Sequence, residues 1–237
     1  MWLLRHGRAG GNGATARHHS RMSRMEATRI IAVRHGETEW NVATRIQGHT
    51  DIDLNDTGRW QADRVARALA REPLDAVYSS DLGRAHQTAE AIVRHRGRAV
   101  IPHRGLRERH FGLFEGRTFD EIQQAWPEQA QRWRKRIPDW EPPEGGESLL
   151  AVRERVANAV ADVAALHGGQ QIVLVAHGGV LDALYRLATR QDVDSPRTWQ
   201  LPNGAINRLL WTPAGLTLVG WSDVSHLDHE SIDESTT

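Results

Sequence analysis

The chain of 237 residues contains no cysteine at all. Without cysteine it can form no disulfide, cysteine-ligated zinc site or iron–sulfur cluster, and it has no cysteine nucleophile, so we expect a reducing, cytoplasmic setting. No apolar run approaches the roughly 20 residues that cross a bilayer, so we expect no membrane partner. Hydrophobic residues make up 39% of the chain and charged residues 25%, proportions that argue for a globular protein rather than a disordered one.

The chain also lacks a net charge, but its charges are unevenly distributed. Residues 1–25 contain five arginines and no acidic residue, whereas the rest of the chain carries 25 basic and 30 acidic side chains. Nonspecific binding of nucleic acid requires a basic surface, so the net-acidic body predicts no nucleic-acid partner.

Composition divides the chain into three segments. Residues 1–25 are rich in Gly, Arg, His and Ser and show no apolar periodicity, so we expect a disordered arm or a mis-called start, with Met22 or Met25 as the alternative initiator. Residues 26–227 carry the regular pattern and are predicted to form one domain. Residues 228–237 are acidic and polar and are predicted to be a disordered tail.

Strand-like and helix-like patterns alternate through the predicted domain. Apolar runs predict strands at 29–33, 74–79, 100–101, 171–176, 205–212 and 216–221. Helical spacing predicts helices over 62–69, 85–92, 149–163 and 178–190, and two pieces within 118–137 that are broken at Pro127. This alternation predicts an α/β fold, a three-layer α/β/α sandwich whose mainly parallel central sheet has helices on both faces. An exposed edge strand within 205–221 could support a homodimer.

Three of the predicted strands run into residues suited to binding phosphate. The first leads into Arg34-His35-Gly36, the second into a segment that ends at Arg84, and the strand at 171–176 into His177-Gly178-Gly179. If these strands are parallel neighbours, their side chains meet at one edge of the sheet, where ligands bind in open α/β folds. Two arginines, two imidazoles and the N–H groups at a helix N-terminus together predict a phosphate site.

The Arg-His-Gly tripeptide occurs twice in the chain. The copy at 5–7 has no long strand before it and runs into a glycine-rich stretch, so we assign it no role. The copy at 34–36 follows a strand and belongs to the longer sequence RHGETEWN. The structural context therefore selects the second copy as the functional one.

Together these motifs resemble the histidine phosphatase superfamily, which includes the cofactor-dependent phosphoglycerate mutases. The resemblance extends from about residue 30 to 226, with the motifs in the order of the family. The matching segments are RHGETEWN at 34–41, QG at 47–48, LNDTG at 54–58, SSDLGR at 79–84, LRE at 106–108, GGES at 145–148 and AHGG at 176–179.

The resemblance implies a role for each matching residue. His35 is the expected nucleophile, which becomes phosphohistidine, because a neutral imidazole nitrogen attacks well near neutral pH. Arg34, Arg84 and His177 are expected to surround the transferring phosphoryl group, and Asn41 to add a side-chain donor. Since arginines can supply the positive charge that this transition state needs, we expect no metal and no other cofactor.

The same resemblance implies that Glu108 protonates the leaving oxygen. Two alternatives remain open, because the run 107–109 could be a solvated charged segment and Glu115 is a nearby acid. The resemblance also places Gln47, Gly48 and Gly178 among the substrate-binding residues.

Residues 109–146 are expected to cap the pocket and set its specificity. The stretch Trp133-Arg134-Lys135-Arg136 resembles a basic segment with which mutases bind the second anionic group of their substrate. Arg134 and Lys135 are therefore candidate substrate-binding residues, with a solvated helix face as the alternative interpretation.

The activity that the resemblance implies is hydrolysis of a small phosphorylated metabolite through phosphohistidine. A phosphatase lets water attack that intermediate, whereas a mutase excludes water. The sequence lacks a long proline-rich insertion before the GGES motif, and it has valine after AHGG. Both features favour a phosphatase over the alternative, a cofactor-dependent phosphoglycerate mutase. An inactive phospholigand-binding scaffold is disfavoured because the nucleophile and its partners are retained.

Overall fold

Residues 26–228 are described by the computed structural model, and they form six strands and seven α-helices. The strands are β1 (Thr28–Arg34), β2 (Ala76–Ser79), β3 (Val100–Pro102), β4 (Gln171–Ala176), β5 (Ile206–Thr212) and β6 (Gly215–Asp223). The helices are α1 (Glu39–Val42), α2 (Asp56–Ala68), α3 (Gly83–Val93), α4 (Phe119–Ala125), α5 (Pro127–Arg134), α6 (Leu149–Ala164) and α7 (Gly178–Thr189). Short 3-10 turns occupy Arg104–Leu106, Gly112–Phe114, Ala165–His167 and Ser225–Leu227. The arm predicted at 1–25 and the tail predicted at 228–237, apart from its first residue, lie outside the described residues.

The six strands form one sheet in the order β3-β2-β4-β1-β5-β6. The first four strands in this order run parallel to their neighbours, whereas β5 pairs antiparallel with β1, and β6 antiparallel with β5. The prediction of a mainly parallel sheet is confirmed, and the turn at 213–215 joins the antiparallel pair as expected. The order also puts β1, β4 and β2 side by side, which is the arrangement that the phosphate site requires.

Successive residues of the central strands point to opposite faces of the sheet and pack into two cores. Ile30 and Ala32 of β1 belong to the core that α6 and α7 cover, and Ile31 and Val33 belong to the core that α2 and α3 cover. All four side chains are buried. The three-layer α/β/α sandwich is therefore confirmed.

Capping explains where the structure departs from the predicted element bounds. Helix α2 begins at Asp56, before its first core residue, because the side chain of Asn55 accepts a hydrogen bond from the backbone N–H of Gly58 at 2.8 Å. The single turn α1 was not predicted, and Thr38 and Asn41 hold it with a reciprocal capping box. Pro127 occupies the first turn of α5, where its missing N–H costs nothing, so the predicted break is correct.

A separate small core lies in the segment between β3 and α6. Phe114 is fully buried there, and its ring centroid lies 6.0, 5.8 and 6.1 Å from those of Trp126, Trp133 and Trp140. These tryptophans pack around one phenylalanine although two prolines interrupt the helix between them. We call residues 109–146 the cap. Across residues 26–228, no helix has the length and apolarity that crossing a bilayer requires.

Candidate active site

Three buried polar side chains and the partly buried Arg34 meet at the carboxyl edge of the sheet. Arg34 is the last residue of β1 and His35 follows it, His177 directly follows β4, and Arg84 lies in the first turn of α3 after β2. His35 is 2% exposed, and Arg84 and His177 are fully buried. The adjacent parallel strands place these residues together, as the sequence predicted.

The tautomer of His35 is set by its own loop. Its Nδ1 lies 2.6 Å from the carbonyl oxygen of Gly36, and because a carbonyl can only accept, Nδ1 carries the hydrogen. Nε2 is then left with a free lone pair. Burial, reinforced by the Arg84 and Arg34 charges, holds the pKa of His35 well below its usual value. The imidazole is therefore neutral and nucleophilic at neutral pH.

His177 faces the same space as His35. The two ring centroids are 5.0 Å apart. Neither ring nitrogen of His177 has a hydrogen-bond partner within the described residues, although both are buried. Burial and the neighbouring Arg84 hold the pKa of His177 well below its usual value. A buried imidazole without partners is costly, and an oxyanion bound beside His35 would satisfy it.

The two arginines are held by backbone carbonyls in a way that leaves one donor free. Arg84 donates from Nη1 to the carbonyl of Thr50 at 3.0 Å and from Nη2 to that of Gly48 at 2.8 Å. Arg34 donates from Nη1 to the carbonyl of Leu201. The Nε of each is buried with no partner in residues 26–228. Burial lowers the pKa of Arg34 to about 10 and also lowers that of Arg84, yet both stay charged at neutral pH.

Glu108 lies against this cluster at the N-terminus of α7. Its Oε1 accepts from the backbone N–H of Arg109 at 2.7 Å and from that of Gly179 at 3.0 Å. A Cβ on Gly179 would lie 2.3 Å from the same oxygen, so a larger residue there would displace this carboxylate. A Cβ on Gly178 would lie 3.8 Å from both Arg34 Cζ and Glu108 Oε2. Gly178 thus lies between the arginine and the acid.

The segment that carries Glu108 is fixed by a residue that sequence reasoning did not select. Arg155 donates to the carbonyls of Gly105 and Arg107 at 2.9 Å and to that of Glu108 at 3.3 Å. Its guanidinium also forms a bidentate pair with Glu147 at 2.7 and 2.8 Å. Arg155 therefore holds the backbone around the acid without reaching the phosphate site itself.

Glu115, the competing acid, lies in a different environment. Its carboxylate accepts from the N–H of His49, Thr50 and Phe111 and from the Thr50 hydroxyl, at 2.8 to 3.0 Å. Gly48 has φ +52°, and a Cβ there would lie 1.9 Å from Glu115 Oε1. The loop must pass close to this carboxylate, so Glu115 anchors the carbonyls that hold Arg84, and Glu108 remains the better candidate for the acid.

Gln47 and Asn41 are two further residues that the sequence predicts to bind the substrate. The Oε1 of Gln47 is buried without a partner in the described chain. Asn41 Oδ1 is occupied by the Thr38 N–H at 3.1 Å and by Asn203 Nδ2 at 3.2 Å. Asn203 also donates to the His35 carbonyl at 3.0 Å. Asn203 was not selected from the sequence, where Pro202-Asn203-Gly204 indicates only a turn.

A cleft of about 580 Å³ leads away from the cluster. It begins at Arg34, Gly178 and Gly179 and runs between the cap and the segment 182–201. Its lining residues are Arg34, Arg109, Phe111, Trp133, Arg136, Leu149, Val152, Arg153, Gly178, Gly179, Asp182, Ala183, Arg186, Val193, Arg197 and Leu201.

Arg134 and Lys135 are not brought to this cleft. Both are exposed. Arg134 donates to Gln123 at 2.6 Å, and its guanidinium lies 4.6 Å from the Phe119 ring. The cleft is lined instead by Trp133, on another side of α5, and by Arg136, which follows the end of that helix at Arg134. Within residues 26–228, no three His, Asp or Glu side chains are grouped so that they could hold a metal ion.

Comparison with known proteins identifies the family to which this fold and site belong. The model of the histidine phosphatase superfamily (branch 1) matches residues 30–224. The chain belongs to that superfamily, and the resemblance noted in the sequence is confirmed. It is an enzyme of the phosphoglycerate mutase-like type.

The alignments with individual relatives cover most of the chain. It is 38% identical to phosphoglycerate mutase-like protein 4 of Arabidopsis thaliana over 214 residues, which are 89% of this chain and 92% of the relative. It is 39% identical to the metal-independent phosphoserine phosphatase of the same plant, over 85% of this chain and 84% of the relative. The solved structure of Bacillus stearothermophilus YhfR superposes with a TM-score of 0.78 at 33% identity, over 85% of this chain and 100% of the other.

Proposed function

We propose that this enzyme hydrolyses phosphomonoesters of small metabolites, with His35 as the residue that carries the phosphoryl group. The observation that supports this most strongly is the pairing of a neutral His35, whose Nε2 lone pair is free, with buried donors that have no partners. Those donors are the Nε atoms of Arg34 and Arg84 and a ring nitrogen of His177. The similarity to a metal-independent phosphoserine phosphatase supports the same activity.

In the first step, His35 Nε2 attacks phosphorus and the bond from phosphorus to the ester oxygen breaks. Nδ1 keeps its hydrogen and its bond to the Gly36 carbonyl, which stabilises the positive charge that the ring gains. Arg34, Arg84 and His177 donate to the three non-bridging oxygens, where the transition-state charge accumulates. Glu108 in its acid form gives its proton to the leaving alkoxide and becomes a carboxylate.

In the second step, water attacks phosphorus and the phosphorus–nitrogen bond breaks. The Glu108 carboxylate takes a proton from the attacking water, so the acid of the first step is restored. Inorganic phosphate leaves, and His35 returns to its neutral form with the hydrogen still on Nδ1. The backbone N–H of Gly179 holds Glu108 beside Arg34. The same carboxyl group can therefore serve both steps.

The second candidate is a mutase, in which a bound acid rather than water accepts the phosphoryl group. The observation that favours it is the arginine-lined cleft beside the phosphate site, which could retain an anionic acceptor. We test it by adding 2,3-bisphosphoglycerate and 3-phosphoglycerate. Formation of 2-phosphoglycerate faster than free phosphate would identify a mutase, and faster release of phosphate a phosphatase.

The test of the central proposal is to trap the intermediate. Rapid quenching with phosphorus-labelled substrate should leave label on the protein that is stable in base and lost in acid, as phosphohistidine is. His35→Ala should abolish both label and turnover. His6→Ala, in the other Arg-His-Gly copy, is the matched control and should change neither. Label on His6, or full activity in His35→Ala, would refute the proposal.

A further inference from the structure

His49 links the loop that holds Arg84 to the segment that carries Glu108. The carbonyls on either side of His49, those of Gly48 and Thr50, accept from the Arg84 guanidinium at 2.8 and 3.0 Å. The His49 side chain reaches a different partner, because its Nε2 lies 2.8 Å from the carbonyl oxygen of Glu108. One tripeptide therefore contacts both an arginine proposed to bind the phosphoryl group and the proposed acid.

The hydrogen of the His49 ring lies on Nε2. A carbonyl oxygen can only accept, so Nε2 is the donor in its contact with Glu108. Burial, with a smaller contribution from His110, whose ring centroid is 4.8 Å away, lowers the pKa of His49. The Glu108 carbonyl and the carboxylates of Glu147 and Glu115 act in the opposite direction but do not outweigh burial. The ring is therefore neutral at neutral pH, with its single hydrogen committed to Glu108.

The Glu108 carbonyl belongs to the same peptide group as the N–H of Arg109. This peptide is trans and planar, so its C=O and N–H point to opposite sides. The Arg109 N–H donates to Oε1 of the Glu108 side chain at 2.7 Å. Arg155 also donates to the Glu108 carbonyl, at the longer distance of 3.3 Å. The shorter bond from His49 therefore helps to fix the direction of the N–H that holds the carboxyl group.

The Arg109 N–H distinguishes the two oxygens of the Glu108 carboxyl group. The Gly179 N–H does not, because it lies 3.0 Å from Oε1 and 3.1 Å from Oε2. In the acid form, the oxygen that accepts the additional N–H is the carbonyl oxygen, and the proton lies on the other one. That other oxygen, Oε2, is on the side of Gly178 and Arg34, whereas Oε1 is on the side of Gly179. The orientation of the peptide thus directs the acid proton toward the phosphate site.

We propose that His49 is a positioning residue for the acid step, and that its hydrogen bond to the Glu108 carbonyl keeps the 108–109 peptide in the orientation that presents the Oε2 proton to the leaving oxygen. This rests on the proposed function of Glu108. In that step the proton moves from Oε2 to the ester oxygen as the bond from phosphorus to that oxygen breaks and the bond to His35 Nε2 forms. Because His49 acts through the Glu108 backbone, its removal should affect only substrates that need the proton.

The test separates the acid step from phosphate binding by the choice of leaving group. His49→Phe removes the donor and keeps a ring against His110. Single-turnover release of the leaving group should fall about tenfold for glycerol 3-phosphate, as expected for one lost hydrogen bond, and less than about twofold for p-nitrophenyl phosphate. His49→Gln supplies an amide N–H at a similar reach and should restore the glycerol 3-phosphate rate to within about threefold.

Two further variants assign the effect to the bond between His49 and Glu108. His110→Phe is the matched control, because the His110 ring bonds to the Gly145 carbonyl at 2.7 Å rather than to Glu108. It should change the rates for the two esters by the same factor. In the Glu108→Gln background, His49→Phe should cause no further loss with glycerol 3-phosphate, since both changes act on one carboxyl group.

The inference and the proposed function fail in different ways. Equal losses for the two esters in His49→Phe, with phosphohistidine still trapped at His35, would overturn the positioning role and leave the phosphatase intact. An alkyl-selective loss that His49→Gln does not restore would overturn the role of the hydrogen bond.

Imidazole nitrogen resonances of the unmodified protein decide the question if the variants do not fold. We expect the hydrogen of His49 on Nε2, and a hydrogen on Nδ1 would overturn the inference. Absence of both turnover and trapped label in the unmodified protein would overturn the proposed function itself.

Discussion

The phosphate site and the cleft beside it are built in opposite ways. The phosphate site stands on the ends of adjacent parallel strands, and backbone carbonyls fix its two arginines so that one donor of each stays free. The cleft is bounded by the cap and by the segment 182–201, and among its arginines Arg153 and Arg197 have no partner in the described chain. One region is positioned by the sheet, and the other depends on loops and helix ends.

This difference separates chemistry from specificity. A phosphoryl transition state needs donors in a fixed geometry, which rigid strand ends supply. Substrates of one reaction class differ in the group that bears the phosphate, and loops can vary without disturbing the sheet. Changes at the phosphate site should therefore affect all substrates, whereas changes in the cleft should affect only some.

Of the changes that distinguish the phosphate site from the cleft, Glu108→Gln should have the largest effect. An alkoxide is a poor leaving group and needs a proton, so an alkyl phosphate should lose about 10²–10⁴-fold in the rate of the first step. p-Nitrophenyl phosphate expels a stable phenolate and should lose distinctly less. Single-turnover release of the leaving group measures this step directly. Equal losses for the two esters would rule out Glu108 as the acid.

Glu115→Gln should behave differently, because its carboxylate accepts four hydrogen bonds from the loop that holds Arg84. In glutamine, one carboxylate oxygen is replaced by an NH2 group, which cannot accept hydrogen bonds from these N–H and O–H groups. We therefore expect the free energy of unfolding to fall by about 2–4 kcal/mol. Any loss of activity should be the same for alkyl and aryl phosphates. Urea unfolding and the two-ester assay check this, and an alkyl-selective loss would make Glu115 the acid.

Sequence alone could predict the strands and the cluster of arginines and histidines at their ends, because each signal lies within a few consecutive residues. An apolar run followed by Arg34-His35-Gly36 or His177-Gly178-Gly179 marks a strand end, and parallel strands bring such ends together. Asn203 and Arg155 could not be predicted, since their partners lie far away in the chain and their own neighbours indicate only a turn and a helix surface. Their contacts depend on how the completed fold packs.

The two buried histidines should make stability depend on pH. Because their pKa values lie below that of an unfolded histidine, the unfolded chain binds protons first as the pH falls below about 6.5. Stability is thus complete above this pH and declines below it, by up to about 2 kcal/mol per histidine by pH 5. The acid limb of kcat/KM, which needs neutral His35, should likewise lie below 6.5.

Unfolding free energies at pH 7.5 and 5.0 measure this dependence, and imidazole proton resonances assign it to residues. The decline should shrink in His35→Gln and in His177→Gln. Should either variant fail to fold, the resonances of the unmodified protein decide the question. An imidazole of this pair that titrates near 6.5 would contradict the burial argument.

The smallest effect should come from Arg134→Gln/Lys135→Gln. Both side chains are exposed and lie off the cleft, so stability should change by less than about 0.5 kcal/mol and KM should not change for any substrate. Arg136→Gln, two residues beyond Arg134, removes a cation from the cleft and should raise KM about tenfold for acidic substrates alone. The contrast arises because Arg136 has φ +50° just after α5 ends, so its side chain leaves the helical direction. Steady-state KM for 3-phosphoglycerate and glycerol 3-phosphate measures the difference. An equal rise in KM in both variants would mean that Arg134 and Lys135 also reach the substrate, which would contradict their placement on the exposed surface of the cap.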